Sequence, residues 1–423
     1  MKATAQSEPA GHAIAFILLT VLIDTIGFGI VIPVLPELIM ELTGEGLSSA
    51  SRYGGWLAFA YAVMQFLCAP LIGNLSDRFG RRPVLLISLF TFGLDYLVMG
   101  VAPSLGWLFL GRIAAGIAGA SYVTANAYVA DITPPERRAQ SFGLVGAAFG
   151  TGFILGPALG GFLGGLGPRA PFFAAAGLAL LNLAYGFFVL PESLPPERRR
   201  RFELGRGNPL GTLGLLGKYP AVLRLAAALF VWQVAHQVLP STWPYYTMYK
   251  FGWNERAIGL SLAAAGVTMI VVQGYLTRVV IPRLGELRAA LVGFSFGALG
   301  FLGYAIATRG WMMYLWMVVF APGGFVYPSL NALMSHQVPP TEQGALQGGI
   351  SSLYGLSAIT GPILMTQLFG YFSSSTTPLR FAGAAFACAA VLATGGLVMV
   401  AKTTGHKMSQ RSESQVVEVE TNL

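Results

Sequence analysis

The sequence predicts an all-α membrane protein: twelve transmembrane helices in two pseudo-symmetric six-helix halves. Three observations predict it. The composition is strongly apolar, twelve segments are long enough to cross a bilayer, and Gly, Pro and Arg landmarks repeat at an offset of 205 residues. Of 423 residues, 54% are hydrophobic and only 10% charged, with a mean hydropathy of +0.64. A soluble domain carries about 25% charged residues.

Apolar runs of about 18 or more residues read as membrane helices. In order they fall at about 13–38, 54–73, 83–102, 106–129, 139–165 and 171–190, then 222–246, 257–280, 289–307, 311–334, 343–371 and 379–401. Many carry Gly or Pro, tolerated where neighbouring helices or a cavity satisfy the freed backbone. The first run is too long for a signal-peptide core and has only Lys2 ahead of it, so a retained helix is expected. Cys68 and Cys388 fall inside predicted helices, which suggests neither a disulfide nor a metal site.

The repeat sets the organisation. Arg78 and Gly80 align with Arg283 and Gly285, Pro134–Pro135 with Pro339–Pro340, Gly143 with Gly348, and Gly156–Pro157 with Gly361–Pro362. Two halves related by an axis along the membrane normal are a known transporter plan. The halves are expected at 1–190 and 222–401. A cytoplasmic linker is expected at 191–221, carrying four consecutive arginines and a short surface helix, and a disordered tail at 402–423. The second loop copy, R-L-G-E-L-R at 283–288, lacks a counterpart of Asp77.

Charge gives orientation. With the N-terminus inside, nineteen Lys and Arg residues lie on the inner side and six on the outer, with Arg112 within a helix. This asymmetry places both termini in the cytoplasm. The net charge of +8 is therefore topogenic, and nucleic acid is not an expected partner.

Three charged residues fall at membrane depth in the first half. Asp24, in L-I-D-T-I-G, lies roughly 16 Å from the inner start of its helix. A carboxylate there is costly unless it faces a cavity, finds a partner or takes a proton, so it reads as proton- or substrate-linked. The alternative is a structural carboxylate capping a backbone break. Asp95, in F-G-L-D-Y, reads equally as a functional acid or a packing group. Arg112, in G-R-I-A-A-G, stays charged and needs acceptors, and Asp24 is the expected one. Snorkelling to the interface is the alternative.

The loop G-N-L-S-D-R-F-G-R-R holds Gly73, Asp77, Arg78, Gly80, Arg81 and Arg82. It is placed to latch helix ends at the cytoplasmic gate. Pure topogenic charge would explain Arg81 and Arg82 but not Asp77. Gly152, Gly156, Pro157, Gly160 and Gly161 form a hinge or close-packing motif on helix 5. Gln65, Asn126, Gln233, His236, Gln237, Tyr246 and Asn331 are candidates to line a cavity, although a lone polar residue is more often a helix contact.

Together these motifs resemble the twelve-helix drug:proton antiporters of the major facilitator superfamily, most closely the tetracycline efflux proteins. The run around Asp24, the Gly73–Arg82 loop, L-D-Y at Asp95, Gly111–Arg112 and V-A-D-I-T at 129–133 carry the resemblance. So do the helix 5 Gly-Pro motif, A-P-F-F-A-A-A at 170–176 and P-E-S at 191–193. The resemblance implies proton-driven export with Asp24, Asp95 and Arg112 functional, and Asp77, Arg81 and Asp131 gating. Tetracycline exporters carry an acid on helix 9, where Gly297 stands here, and no acid falls at membrane depth in helices 7 to 12. The expected substrate is an amphiphilic small molecule. A lipid or lipid-like metabolite is the alternative, and a membrane receptor a third reading. No nucleotide loop, metal cluster or nucleophile–base motif argues for an enzyme or a cofactor. The expectation is a monomer in the inner membrane, driven by a proton gradient, with protons, substrate and bilayer as its partners.

Overall fold

A computed structural model describes residues 7–119, 122–202 and 213–421, and among them every regular element is helical. Proline and glycine decide where the helices stop. Span 1 is α1 (Ser7–Val31). The apolar run expected to continue to 38 instead turns at Ile32–Val34, and α2 (Leu35–Thr43) follows. Pro33 has no N–H and disfavours a helical Ile32. The turn is closed by Ile32 N–H to Gly29 O and Val34 N–H to Val31 O, both 3.3 Å.

Span 2 is α3 (Leu47–Phe79) and span 3 is α4 (Arg81–Val101), separated only by Gly80 at φ 106°. Glycine takes that backbone without a Cβ penalty, which permits so abrupt a junction. Span 4 comprises α5 (Leu105–Gly119) and α6 (Tyr122–Ile132). Spans 5 and 6 are α7 (Arg138–Gly164) and α8 (Ala170–Val189). The expected linker carries α9 (Leu213–Lys218), and its residues 203–212 lie outside those described.

Span 7 comprises α10 (Pro220–His236) and α11 (Val238–Phe251). Span 8 runs through α12 (Glu255–Val271), a π-helical turn at Val272–Leu276 and α13 (Thr277–Leu284). Span 9 is α14 (Glu286–Ile306). Span 10 comprises α15 (Gly310–Phe320), a 3₁₀ turn at Ala321–Phe325 and α16 (Val326–Ser335). Span 11 is α17 (Gln343–Phe372), and span 12 is the first part of α18 (Ala384–Thr421). The helix thus continues through the residues expected to form a disordered tail, with 422–423 outside those described.

Among the described residues, eleven segments are long and apolar enough to cross a membrane. The twelfth, α17, is 30 residues long, about 45 Å of helix against a core of about 30 Å. Its apolarity is diluted by Gln343, Gln347, Ser351, Ser352, Ser357, Thr360, Thr366 and Gln367.

The chain forms two compact units. The first contains Met1–Pro209, Pro240–Val267 and Pro362–Ala382, and the second Leu210–Leu239, Thr268–Gly361 and Gly383–Leu423. Spans 7, 8 and 11 contribute to both, so the units are drawn differently from the two sequence halves. In the first unit, span 5 lies against span 1 through glycine. A Cβ on Gly156 would meet Ile26 O at 2.7 Å and Gly29 Cα at 2.8 Å, and one on Gly160 would run into the Ile30 backbone. The other side of span 5 takes the start of span 8, with Gly161 against Glu255 and Arg256, and Gly259 against Pro157 O. In the second unit, aromatic rings fill the glycine notches of span 9. Trp232 covers Gly297, Phe320 covers Gly300 and Trp316 covers Gly303.

Gly160→Val should therefore destabilise the protein by about 1–3 kcal/mol, read as a lower melting temperature in detergent. Gly143, whose Cβ would meet nothing within 4 Å, is the control on the same helix, and Gly143→Ala should not lower the melting temperature, since alanine is the better helix former.

Candidate functional site

The N-terminal unit brings the intramembrane charges together, with a different pairing from the one the sequence suggests. Arg112 does not reach Asp24. Its Nη2 lies 2.5 Å from Asp95 Oδ2, with the two side chains 11% and 0% exposed. Span 4 can approach span 3 this closely because Gly111 has no Cβ to collide with Asp95. Arg112 also contacts Met99 Sδ at 2.9 Å and sits 5.8 Å from the Tyr61 ring centroid. A charge-assisted bond in a dry, low-dielectric site is strong, and breaking it strands a buried charge.

Asp24 is left half-buried, with no hydrogen bond or ion pair among the described residues. Tyr61 packs 6.3 Å from Phe28, and a Cβ on Gly27 would meet the Tyr96 hydroxyl at 3.0 Å. Gln65 Nε2 donates to Tyr61 OH at 3.4 Å and to Gly119 O at 3.3 Å. The result is one carboxylate without a charged partner among the described residues, while the Arg112–Asp95 pair is locked. Such a carboxylate can take a proton or a cationic group. Tyr61 and Tyr96 are missing from the sequence-based candidates, and the only signal was Tyr96 following Asp95.

The other cavity candidates are dispersed. Asn126 donates to Tyr122 O, one turn back on its own helix, at 3.1 Å. Tyr246 is fully buried and accepts from Lys250 Nζ at 2.9 Å, so it packs rather than lining a space. In the second unit, Asn331 and Gln347 form an amide pair across spans 10 and 11 at 2.9 Å. His236 lies 6.3 Å from Trp232 and 6.0 Å from Phe320, centroid to centroid. Gln237 packs against Gly361, and Gln233 is half-buried on the same helix.

At the basic end, Arg81 is the hub. It lies 2.6 Å from Asp77 and 3.2 Å from Asp131, and its Nη1 donates to Ser76 Oγ at 2.5 Å. Glu192 caps span 3, accepting from Arg81 N–H at 2.8 Å and Arg82 N–H at 3.3 Å. Ser193 Oγ donates to Asp131 at 3.3 Å. Arg82 Nη2 donates to Phe187 O at 2.6 Å, and Arg78 stacks 5.1 Å over Phe79. A Cβ on Gly73 would make only ordinary contact with Val123, at 3.7 Å. Spans 2, 3, 4 and the end of span 6 are thereby tied together. Glu192 and Ser193 were visible in the P-E-S motif, but only as a helix end. No group of three or more His, Cys, Asp or Glu among the described residues is placed to hold a metal.

At the opposite end, Glu37 on α2 is hydrogen-bonded to Glu255 at the start of span 8. Burial first, then that bond and the negative charges of Glu255 and Glu41, push its carboxyl from 4.5 up to about 7. Arg169 is engaged by Glu41 at 3.0 Å.

With this geometry in view, the comparisons identify the class. The Major Facilitator Superfamily model matches residues 17–362. The class C tetracycline resistance protein of Escherichia coli is 43% identical, over 88% of this chain and 93% of its own length. The class G protein of Vibrio anguillarum is 41% identical, over 83% and 89%. The solved structure of the human organic anion transporter MFSD10 (TETRAN) is 25% identical with a TM-score of 0.67, covering 93% of this chain and 99% of that one. The chain belongs to the Major Facilitator Superfamily, and it is a multi-pass membrane transporter, not an enzyme.

Two outcomes are expected. Arg112→Met strands Asp95 and should cost about 3–5 kcal/mol, whereas Arg112→Met with Asp95→Leu should recover most of the loss in detergent unfolding. The Glu37 contact should depend on pH with a defined sign. Its carboxyl is raised in the folded state, so the stabilisation is complete below about 4.5 and lost as pH rises through about 7. Pulsed-EPR distances between spin labels at Leu42 and Asn254 should broaden between pH 6 and 8 in wild type and not in Glu37→Gln.

Proposed function

We propose that this protein is a proton-coupled antiporter of the inner membrane that exports amphiphilic small molecules, tetracycline-type drugs among them, by alternating access. The observation that carries this reading is the unpaired carboxylate of Asp24 at membrane depth, in a chain 43% identical to a tetracycline resistance protein. Fixing Arg112 on Asp95 leaves Asp24 as the group free to exchange a proton for substrate. A carboxylate in a membrane-buried site is expensive to keep charged and unpaired, so proton and substrate compete to neutralise it.

The two six-helix halves, 1–190 and 222–401, rock about a midplane site and are joined by the 191–221 linker. The basic end, with the Arg81 hub, faces the cytoplasm together with both termini. No cofactor is needed, since the proton gradient supplies the energy, and the transporter acts as a monomer. The span 9 position where tetracycline exporters carry an acid is Gly297, and Trp232 covers it.

The test is export from proteoliposomes with an imposed pH gradient, reading internal pH while a panel of amphiphilic drugs, tetracycline and lysolipids is added. Proton movement should accompany a drug with wild type and vanish with Asp24→Asn at equal protein incorporation. A response to lysolipids alone would replace the drug reading with a lipid transporter. Full export by Asp24→Asn would remove Asp24 from the mechanism.

A further inference from the structure

The offset of 205 residues relates more than the glycines and prolines. It takes Arg81 to Glu286 and Asp131 to His336. The local structure is the same in both places. Span 2 ends on Gly80 at φ 106° and span 8 on Gly285 at φ 78°, and the next helix begins at the following residue. That first residue then reaches a partner at the far end of the next span. Arg81 lies 3.2 Å from Asp131, and Glu286 lies 3.0 Å from His336. The junction and the pair recur with their charges exchanged.

The exchange has a physical consequence. Helix N-termini favour anions and C-termini favour cations. Glu286 at the start of α14 and a protonated His336 at the end of α16 agree with both dipoles. Arg81 and Asp131 oppose them, and Arg81 is held instead by a second carboxylate, Asp77 at 2.6 Å. The equivalent of Asp77 is Pro282, so the C-terminal pair stands without that support. Its attraction exists only when the imidazole carries a proton.

The surrounding charges do not replace it. Glu342, at the start of the next helical segment, is engaged by Lys218 at 3.3 Å and by the Tyr219 hydroxyl at 3.2 Å. Arg283 and Arg288 flank Glu286 on spans 8 and 9, Arg278 lies further along span 8 and Arg224 on span 7. Among the described residues none of them pairs with Glu286 or His336. Ser335, beside His336, is anchored to span 11 by Gln343, at 2.9 Å through both its hydroxyl and its carbonyl.

We propose that Glu286 and His336 are positioning residues forming a second, charge-exchanged latch, one that ties spans 9 and 10 together when His336 is protonated. The Arg81 pair is then held by fixed charges, and the Glu286–His336 pair by the pH on its own side. Under the antiporter reading, on which only this link to transport rests, protons delivered to the cytoplasm tighten the latch and an alkaline cytoplasm releases it.

The test separates the latch from the transport reading. Pulsed-EPR distances between spin labels at Leu284 and Thr341 are measured in the full-length protein in nanodiscs, without substrate. A narrow distribution is expected at pH 6 and a broad one at pH 8. Glu286→Gln should be broad at both. Glu286→Arg with His336→Asp and Pro282→Asp rebuilds the Arg81–Asp131–Asp77 arrangement and should be narrow at both. A wild-type distribution that ignores pH, or an exchanged pair that stays broad, would overturn the latch. In proteoliposomes, the internal-pH dependence of export between 6 and 8 should flatten in the exchanged pair. Distances that follow this pattern without any proton-coupled export would uphold the latch and count against the antiporter reading.

Discussion

The first unit depends on a charge that cannot be removed. Arginine keeps its proton in any protein environment, so placing Arg112 within a span obliges the fold to bring an acceptor to it. Asp95 meets that demand from span 3, and the absence of a side chain at Gly111 lets it come close. The division of labour among the intramembrane charges follows. Asp95 is held in an ion pair with Arg112, and Asp24 is left with no counter-ion among the described residues. A carboxylate at membrane depth is costly while it is charged and unpaired, and a proton removes that cost.

The two units solve close packing in different ways. In the first, backbone meets backbone: Gly156 and Gly160 let span 5 lie directly on span 1, while Gly161 admits the start of span 8 on the other side. That approach brings Glu255 to Glu37, so two carboxyls at one end of the bundle share a hydrogen bond. In the second unit, the glycines of span 9 are notches filled by Trp232, Phe320 and Trp316. Trp232 stacks nearly parallel to Phe320 at 6.2 Å and meets Phe294 edge-on at 5.3 Å. The second unit is therefore packed by aromatic rings where the first is packed by backbone.

Much of this was legible in the sequence because membranes restrict the options. With no water to satisfy the backbone, an apolar run of sufficient length must be a helix. The hub at Arg81 was legible too, since Asp77 and the arginines share one short loop. Glu192 was not legible as its cap, because the chain returns to that loop more than a hundred residues later. The division of span 1 at Pro33 was also missed, although the proline was visible. An apolar run masks a turn when hydropathy is the only guide.

What the sequence by itself determined was the class of protein and the residue types available for chemistry, because these follow from local composition and period. What the tertiary structure alone decided was pairing. Arg112 can reach either Asp24 or Asp95 as far as sequence spacing shows, and only the crossing of spans 3 and 4 at Gly111 selects Asp95. The same holds for Glu37 with Glu255 and for Glu286 with His336. A charge is specified by one residue, but its partner is specified by where helices distant in sequence come to lie side by side, and that depends on the packing of every span between them.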